Sequence, residues 1–164
     1  MNSIFFVDEE RYRQGVEKIV SDAHEQYEKI CYISFNDPHH IVVKMLTQVL
    51  PDSEKFIVVD ASKTRKDVHE VEKGTFLVDT ANIFNVYVFL KDLIMKEEVD
   101  ALFLDSASAL IVKHNHLPLK EMMETMLLDV GAHGCDTMTL AFKEHSGHEV
   151  LQHISTLMGR SMFI

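Results

Sequence analysis

Apolar positions along the chain alternate between short continuous runs and longer stretches spaced by three and four. Ser3 to Val7 is a brief apolar run, and from Asp8 the pattern changes to Tyr12, Val16, Ile19, Val20, Ala23 and Tyr27. That change of period predicts a strand followed by an amphipathic helix. Lys29 to Phe35 is rich in β-formers and ends at Asn36-Asp37-Pro38, a turn whose proline suits the first turn of a helix carrying Val42 to Leu50. Lys55 to Asp60 predicts a third strand, and Ala61 to Lys73 is polar enough to predict a solvated loop or short helix. Thr75 to Val78 is a brief β-like run. Asn82 to Glu98 has helical length but carries apolar residues on nearly every side, among them Phe84, Val86, Val88, Phe89, Leu90 and Leu93, so burial between the sheet and another layer is expected. A strand at Asp100 to Asp105, a helix from Leu117 to Val130 closed near Gly131, a strand at Asp136 to Phe142, a helix from His148 to Met158 and an apolar end at Ser161 to Ile164 complete the pattern.

Strands alternating with helices predict an α/β fold: a three-layer sandwich with a mainly parallel central sheet. The 164 residues, 46% of them apolar, fit one domain over 1–164, with no linker-like segment or internal repeat. A formal net charge of −10 repels phosphate backbones and anionic surfaces, so neither nucleic acid nor a membrane is an expected partner. Lys63, Arg65 and Lys66 form the chain's basic cluster, either a solvated loop or a contact for an acidic partner. Cys31 and Cys135 lie in or beside apolar runs and read as buried free thiols, which with the lack of a leader-like or spanning segment suggests a cytoplasmic protein.

In open parallel sheets, ligands bind beyond the carboxyl ends of the strands. The residues there are Asp8 and Glu9, Phe35 to Asp37, Asp60, Asp105 and Ser106, and Lys143 to His145. Two of these segments carry a family likeness. Lys29 to Pro38 resembles the second strand and acidic turn of KaiC-like and RadA-like ATPases of the RecA superfamily. Val99 to Leu110, with Asp105-Ser106 after an apolar strand, looks like their Walker B segment. The resemblance implies a RecA-like P-loop NTPase core, and assembly with itself or with a related ATPase.

The phosphate loop that such a core requires is missing from the sequence. A GxxxxGK[ST] loop wraps phosphates with glycine amides, neutralises them with Lys and binds Mg²⁺ through Ser or Thr. After the first strand stand Asp8, Glu9 and Glu10 instead. Like charges about 5 Å apart in a partly desolvated site repel by some kcal/mol, which opposes a triphosphate. Asn36-Asp37 stands where KaiC-like enzymes tend to have paired Glu. The expectation is therefore a domain without a functional P-loop, not an ATP-hydrolysing enzyme, with no cofactor and no catalytic residues, acting as a protein-interaction or regulatory module. Asp105 is then expected to bond backbone amides or Ser34. Leu119, Met122, Met123, Met126 and Leu127 offer an adaptable apolar surface for self-association, or else ordinary core.

An alternative fold fits the same alternation. A flavodoxin-like receiver domain needs an acidic pair after the first strand, an Asp after the third, a hydroxyl after the fourth and a Lys after the fifth. Asp8 and Glu9, Asp60, Ser106 and Lys143 fill those places, with Asp60 as the phosphoacceptor. The chain is longer than a usual receiver, and Glu144 follows Lys143 where receivers generally have Pro. Ten histidines, including His39-His40, His114, His116, His145, His148 and His153, lack recurring metal-ligand spacings, so no metal is expected. Neither a G-x-S-x-G elbow nor a Cys with a neighbouring base marks a nucleophile.

Overall fold

The computed structural model describes residues 1–164. The chain runs β1 (Ser3–Val7), α1 (Tyr12–Gln26), β2 (Ile30–Ser34), α2 (His39–Val49), β3 (Phe56–Asp60), β4 (His69–Glu72), β5 (Thr75–Leu77), α3 (Ile83–Glu97), β6 (Ala101–Asp105), α4 (Ala107–Lys113), α5 (His116–Ala132), β7 (Asp136–Phe142), α6 (Glu149–Leu157) and β8 (Arg160–Phe163). All eight strands form one sheet in the order β4-β5-β3-β2-β6-β7-β1-β8. Every pairing is parallel except the β4–β5 hairpin.

Period-two alternation along the strands divides the core between two faces. Ile30 and Tyr32 of β2 and Ala101 and Phe103 of β6 pack with Val16, Ile19 and Val20 of α1 and with Val42 and Leu46 of α2. Cys31 and Ile33, with Leu102 and Leu104, pack against α3, α4, α5 and α6 on the opposite face. Both cysteines are free and buried, as expected for small hydrophobes. Burial pushes the thiol of Cys31 up and that of Cys135 to about 12, so both stay protonated at neutral pH.

The sheet order decides between the two topologies. β7 lies between β1 and β6, as a RecA-like core requires, whereas a receiver places its first strand between the second and third. Here β1 and β3 are separated by β7, β6 and β2, four strand spacings or about 19 Å. The alternative phosphoacceptor set therefore does not converge: Asp8 and Glu9 lie far from Asp60.

Local differences from the sequence reading have physical causes. His69 to Glu72 forms an edge strand whose polar residues carry no hydrophobic alternation, so the pattern there suggests only a loop. The seven-residue α4 is short, and Ser106 caps it by accepting from the Ala109 amide. α5 ends at Ala132, next to Gly131 as expected, and the turn that follows is made at Gly134, whose φ of 76° favours glycine. In α3 the buried side is Ile83, Val86, Leu90, Leu93 and Ile94, while Val88 and Met95 are exposed, so this helix is covered on one side only. Leu119, Met122, Met123, Met126 and Leu127 are all buried in the core and form no docking surface. No helix is long and apolar enough to cross a membrane.

Candidate functional site

The site is built around Asp105 at the carboxyl end of β6. Parity along that strand sends Ala101, Phe103 and Asp105 to the face covered by α1 and α2, so the carboxylate points beneath the first turn of α1. It is fully buried. Three side chains from different segments converge on it. Tyr12, the first residue of α1, donates its hydroxyl to the carboxylate at 2.6 Å from Oδ1 and 2.5 Å from Oδ2. Tyr32 of β2 donates to Oδ2 from inside the sheet layer. Asn36, just past β2, places its amide nitrogen 2.9 Å from Oδ1, 3.1 Å from the Tyr12 oxygen and 3.2 Å from Ser106 Oγ.

The rings that supply these hydroxyls are themselves held by packing. Tyr32 stands edge-on to Phe103 at 4.9 Å, and Tyr12 edge-on to Phe142 at 5.7 Å. Gly15 lets α1 approach β1 closely: a Cβ there would lie 3.0 Å from Val7 Cγ2 and 3.5 Å from Leu140 Cδ1. The small residue thus sets the height of Tyr12 above the sheet.

An ionised carboxylate offers about four lone-pair positions. Three donors meet them: Asn36 bonds Oδ1, Tyr32 bonds Oδ2, and the single Tyr12 O–H is shared between the two oxygens. Burial raises the Asp105 carboxyl to about 6, against the pull of the Tyr12, Tyr32 and Asn36 hydrogen bonds, and the nearby charge of Asp37 pushes in the same direction as burial. The same burial and the Asp105 charge drive the Tyr12 and Tyr32 phenols well above their ordinary range, so both remain donors at any ordinary pH.

The remaining sequence candidates fall into separate groups. Asp8 pairs with Lys143, Nζ to Oδ2 at 3.3 Å, bridging the ends of β1 and β7. Glu9 and Glu10 are exposed in a single 3-10 turn, Glu9–Arg11, that joins β1 to α1. Asp37 is half-buried, and its backbone N–H and C=O both bond Ser34 Oγ. Ser34 is therefore engaged with its own turn, and Asp105 bonds two phenols and an amide in place of Ser34 or backbone amides. Asp60 forms a second hub: Oδ2 accepts from the His39 backbone N–H at 2.8 Å with the His39 ring Nδ1 at 3.0 Å, and Oδ1 accepts from the Ser62 N–H and hydroxyl. Burial alone would raise the Asp60 carboxyl, but these bonds outweigh it and hold it below the usual carboxylate range. No three His, Cys, Asp or Glu side chains are grouped to hold a metal ion.

Tyr12 and Tyr32 are the site residues that sequence reasoning missed. Both fall in the hydrophobic pattern and read as core. The available signal was a phenol on a buried face, which needs a hydrogen-bond partner, and a carboxylate at the end of an otherwise apolar strand.

No family model matches the sequence, and no curated protein matches it by sequence. The fold is similar to the crystal structure of a KaiC-like protein from the hyperthermophilic archaeon Pyrococcus horikoshii, with a TM-score of 0.64 and 10% identity over 93% of this chain and 67% of that one. The α/β fold with its mainly parallel eight-stranded sheet is thus that of a KaiC-like, RecA-fold domain.

Proposed function

We propose that this chain is a KaiC-like domain with a degenerate Walker A position, which does not hydrolyse ATP and works as a protein-interaction or regulatory module. The observation that carries this reading is the occupancy of Asp105. In an ATPase of this fold the Walker B carboxylate faces the Mg²⁺ of bound nucleotide. Here Tyr12 covers it from the element that would otherwise open with the phosphate-binding glycines, and both of its oxygens are hydrogen-bonded by Tyr12, Tyr32 and Asn36.

A hydrated Mg²⁺ at Asp105 would have to displace Tyr12 and leave a phenol unpaired in a buried place. The turn between β1 and α1 adds Asp8, Glu9 and Glu10 and no lysine or glycine cradle. ATP with Mg²⁺ does not fit these residues. A phosphate-release assay with ATP and Mg²⁺ tests the reading: no release above a buffer control is expected, and turnover that disappears in Asp105→Asn would contradict it.

A further inference from the structure

Away from the Asp105 site, a cleft of about 670 Å³ opens at the amino end of β3, between α2 and the β4–β5 hairpin. Its interior is partly apolar, with Leu46, Phe56 and Phe76 among its lining. Glu54, Glu70 and Glu72 stand on its rim, all three exposed and none in an ion pair. Of the two lysines present, Lys29 is paired with Glu97 at 3.1 Å and Lys73 sits at the hairpin turn. The cleft is thus suited to an amphipathic segment carrying positive charge.

This chain carries one basic cluster. Lys63, Arg65 and Lys66 follow the carboxyl end of β3, and Val68 beside them is 52% exposed. None of the three cations has an ion-pair partner within the chain. The loop is nevertheless held in place: the Arg65 N–H donates to Thr80 Oγ1, the Thr80 hydroxyl donates to the Lys63 carbonyl, and the Thr80 N–H donates to the Arg65 carbonyl. Fixed presentation lowers the ordering cost of docking.

We propose that the cleft receives the Lys63–Lys66 loop of a second copy of this chain, in a twofold dimer that uses both contacts at once. The proposal rests on the interaction-module reading above and names the partner. Loop and cleft lie toward opposite ends of β3, a strand about 16 Å long, beside the edge formed by β4. β4 has no strand on its outer side. Two copies set antiparallel along this edge bring each basic loop to the other's acidic cleft, which is the self-complementary arrangement of an isologous interface. At 0.15 M salt the Debye length is about 8 Å, so the general repulsion of two acidic chains is screened while loop and cleft remain in direct contact.

The test is charge reversal followed by light scattering and sedimentation at 0.15 M salt. The triple variant Lys63→Glu, Arg65→Glu, Lys66→Glu and the triple variant Glu54→Lys, Glu70→Lys, Glu72→Lys alter side chains that are exposed, or in the case of Arg65 half-buried, and circular dichroism checks that each stays folded. Each alone should weaken dimerisation by about 100-fold or more, because attraction becomes repulsion at both contacts. An equimolar mixture should recover dimers, since the reversed loop of one variant faces the reversed cleft of the other. A wild-type chain that stays monomeric at millimolar concentration would overturn the proposal, as would a dimer that survives either reversal or a mixture that fails to recover. Wild-type monomers whose cleft binds an unrelated basic peptide would also overturn the second-copy occupant. These outcomes leave the nucleotide reading untouched, because the phosphate-release assay tests it separately.

Discussion

The Tyr12 hydroxyl lies 2.6 and 2.5 Å from the two carboxylate oxygens of Asp105, although the residues are 93 positions apart in the chain. The contact joins the first turn of α1 to the end of β6 across the intervening strand β7. It makes the end of β6 a buried, hydrogen-bonded corner.

Substitution of Tyr12 by Phe removes a phenol donor from a buried carboxylate and keeps the ring. A hydrogen bond to a charged group contributes about 1.5 to 3 kcal/mol, so Tyr12→Phe should lower unfolding stability by about 2 kcal/mol at pH 7. With one stabilising donor gone, the Asp105 carboxyl should also titrate above its value of about 6. Denaturant unfolding and an NMR titration of the Asp105 side chain measure the two effects.

Asp105 gives the chain an unusual pH signature. Its folded value of about 6 lies above that of an unfolded Asp, about 3.9, so the folded state binds more protons between those limits. Stability from this group is therefore highest below pH 4 and falls as pH rises to about 6, a difference of roughly 3 kcal/mol. Asp105→Asn removes the titration. The stability of the variant relative to wild type should increase from pH 4 to 6 and then level off; a difference that is flat over this range would contradict the account.

Asp60 should behave with the opposite sign. Its carboxyl is held low by bonds that fasten the start of α2 and the Ala61–Ser62 turn. That stability is present above the unfolded value near 3.9 and is lost as pH falls through the lower folded value. Asp60→Asn leaves an amide facing donors and should cost about 2 kcal/mol at pH 7, with the gap to wild type closing below pH 4. Thermal melts across pH show whether the gap closes.

Gly15→Ala tests the geometry that positions Tyr12. Helix propensity alone would favour alanine by about 1 kcal/mol, but its Cβ would meet Val7 at 3.0 Å. Overpacking of this kind costs about 1 to 3 kcal/mol, so a net loss near 1 kcal/mol is expected in chemical denaturation.

Hydrophobic period made most of the sheet legible. The runs at Ser3 to Val7, Lys29 to Phe35, Lys55 to Asp60, Asp100 to Asp105 and Asp136 to Phe142 correspond to β1, β2, β3, β6 and β7, because buried parallel strands must be almost continuously apolar. The edge strand β4 was not legible, since His69, Glu70 and Glu72 face solvent and leave no pattern. At the site, Asp105 was readable from its place after an apolar strand, but its partners were not. Periodicity assigns Tyr12 and Tyr32 to a buried face, and the meeting of their hydroxyls with Asp105 depends on strand order and helix height. Ser34 illustrates the converse: it stands beside Asp105 in the β2–β6 register, yet its side chain closes its own turn.

On the proposed reading, the corner around Asp105 is closed to nucleotide. Isothermal titration of the intact chain with ATP in the presence of Mg²⁺ tests it most directly. No binding heat is expected at ATP concentrations up to millimolar; a dissociation constant in the micromolar range, lost in Asp105→Asn, would overturn the reading.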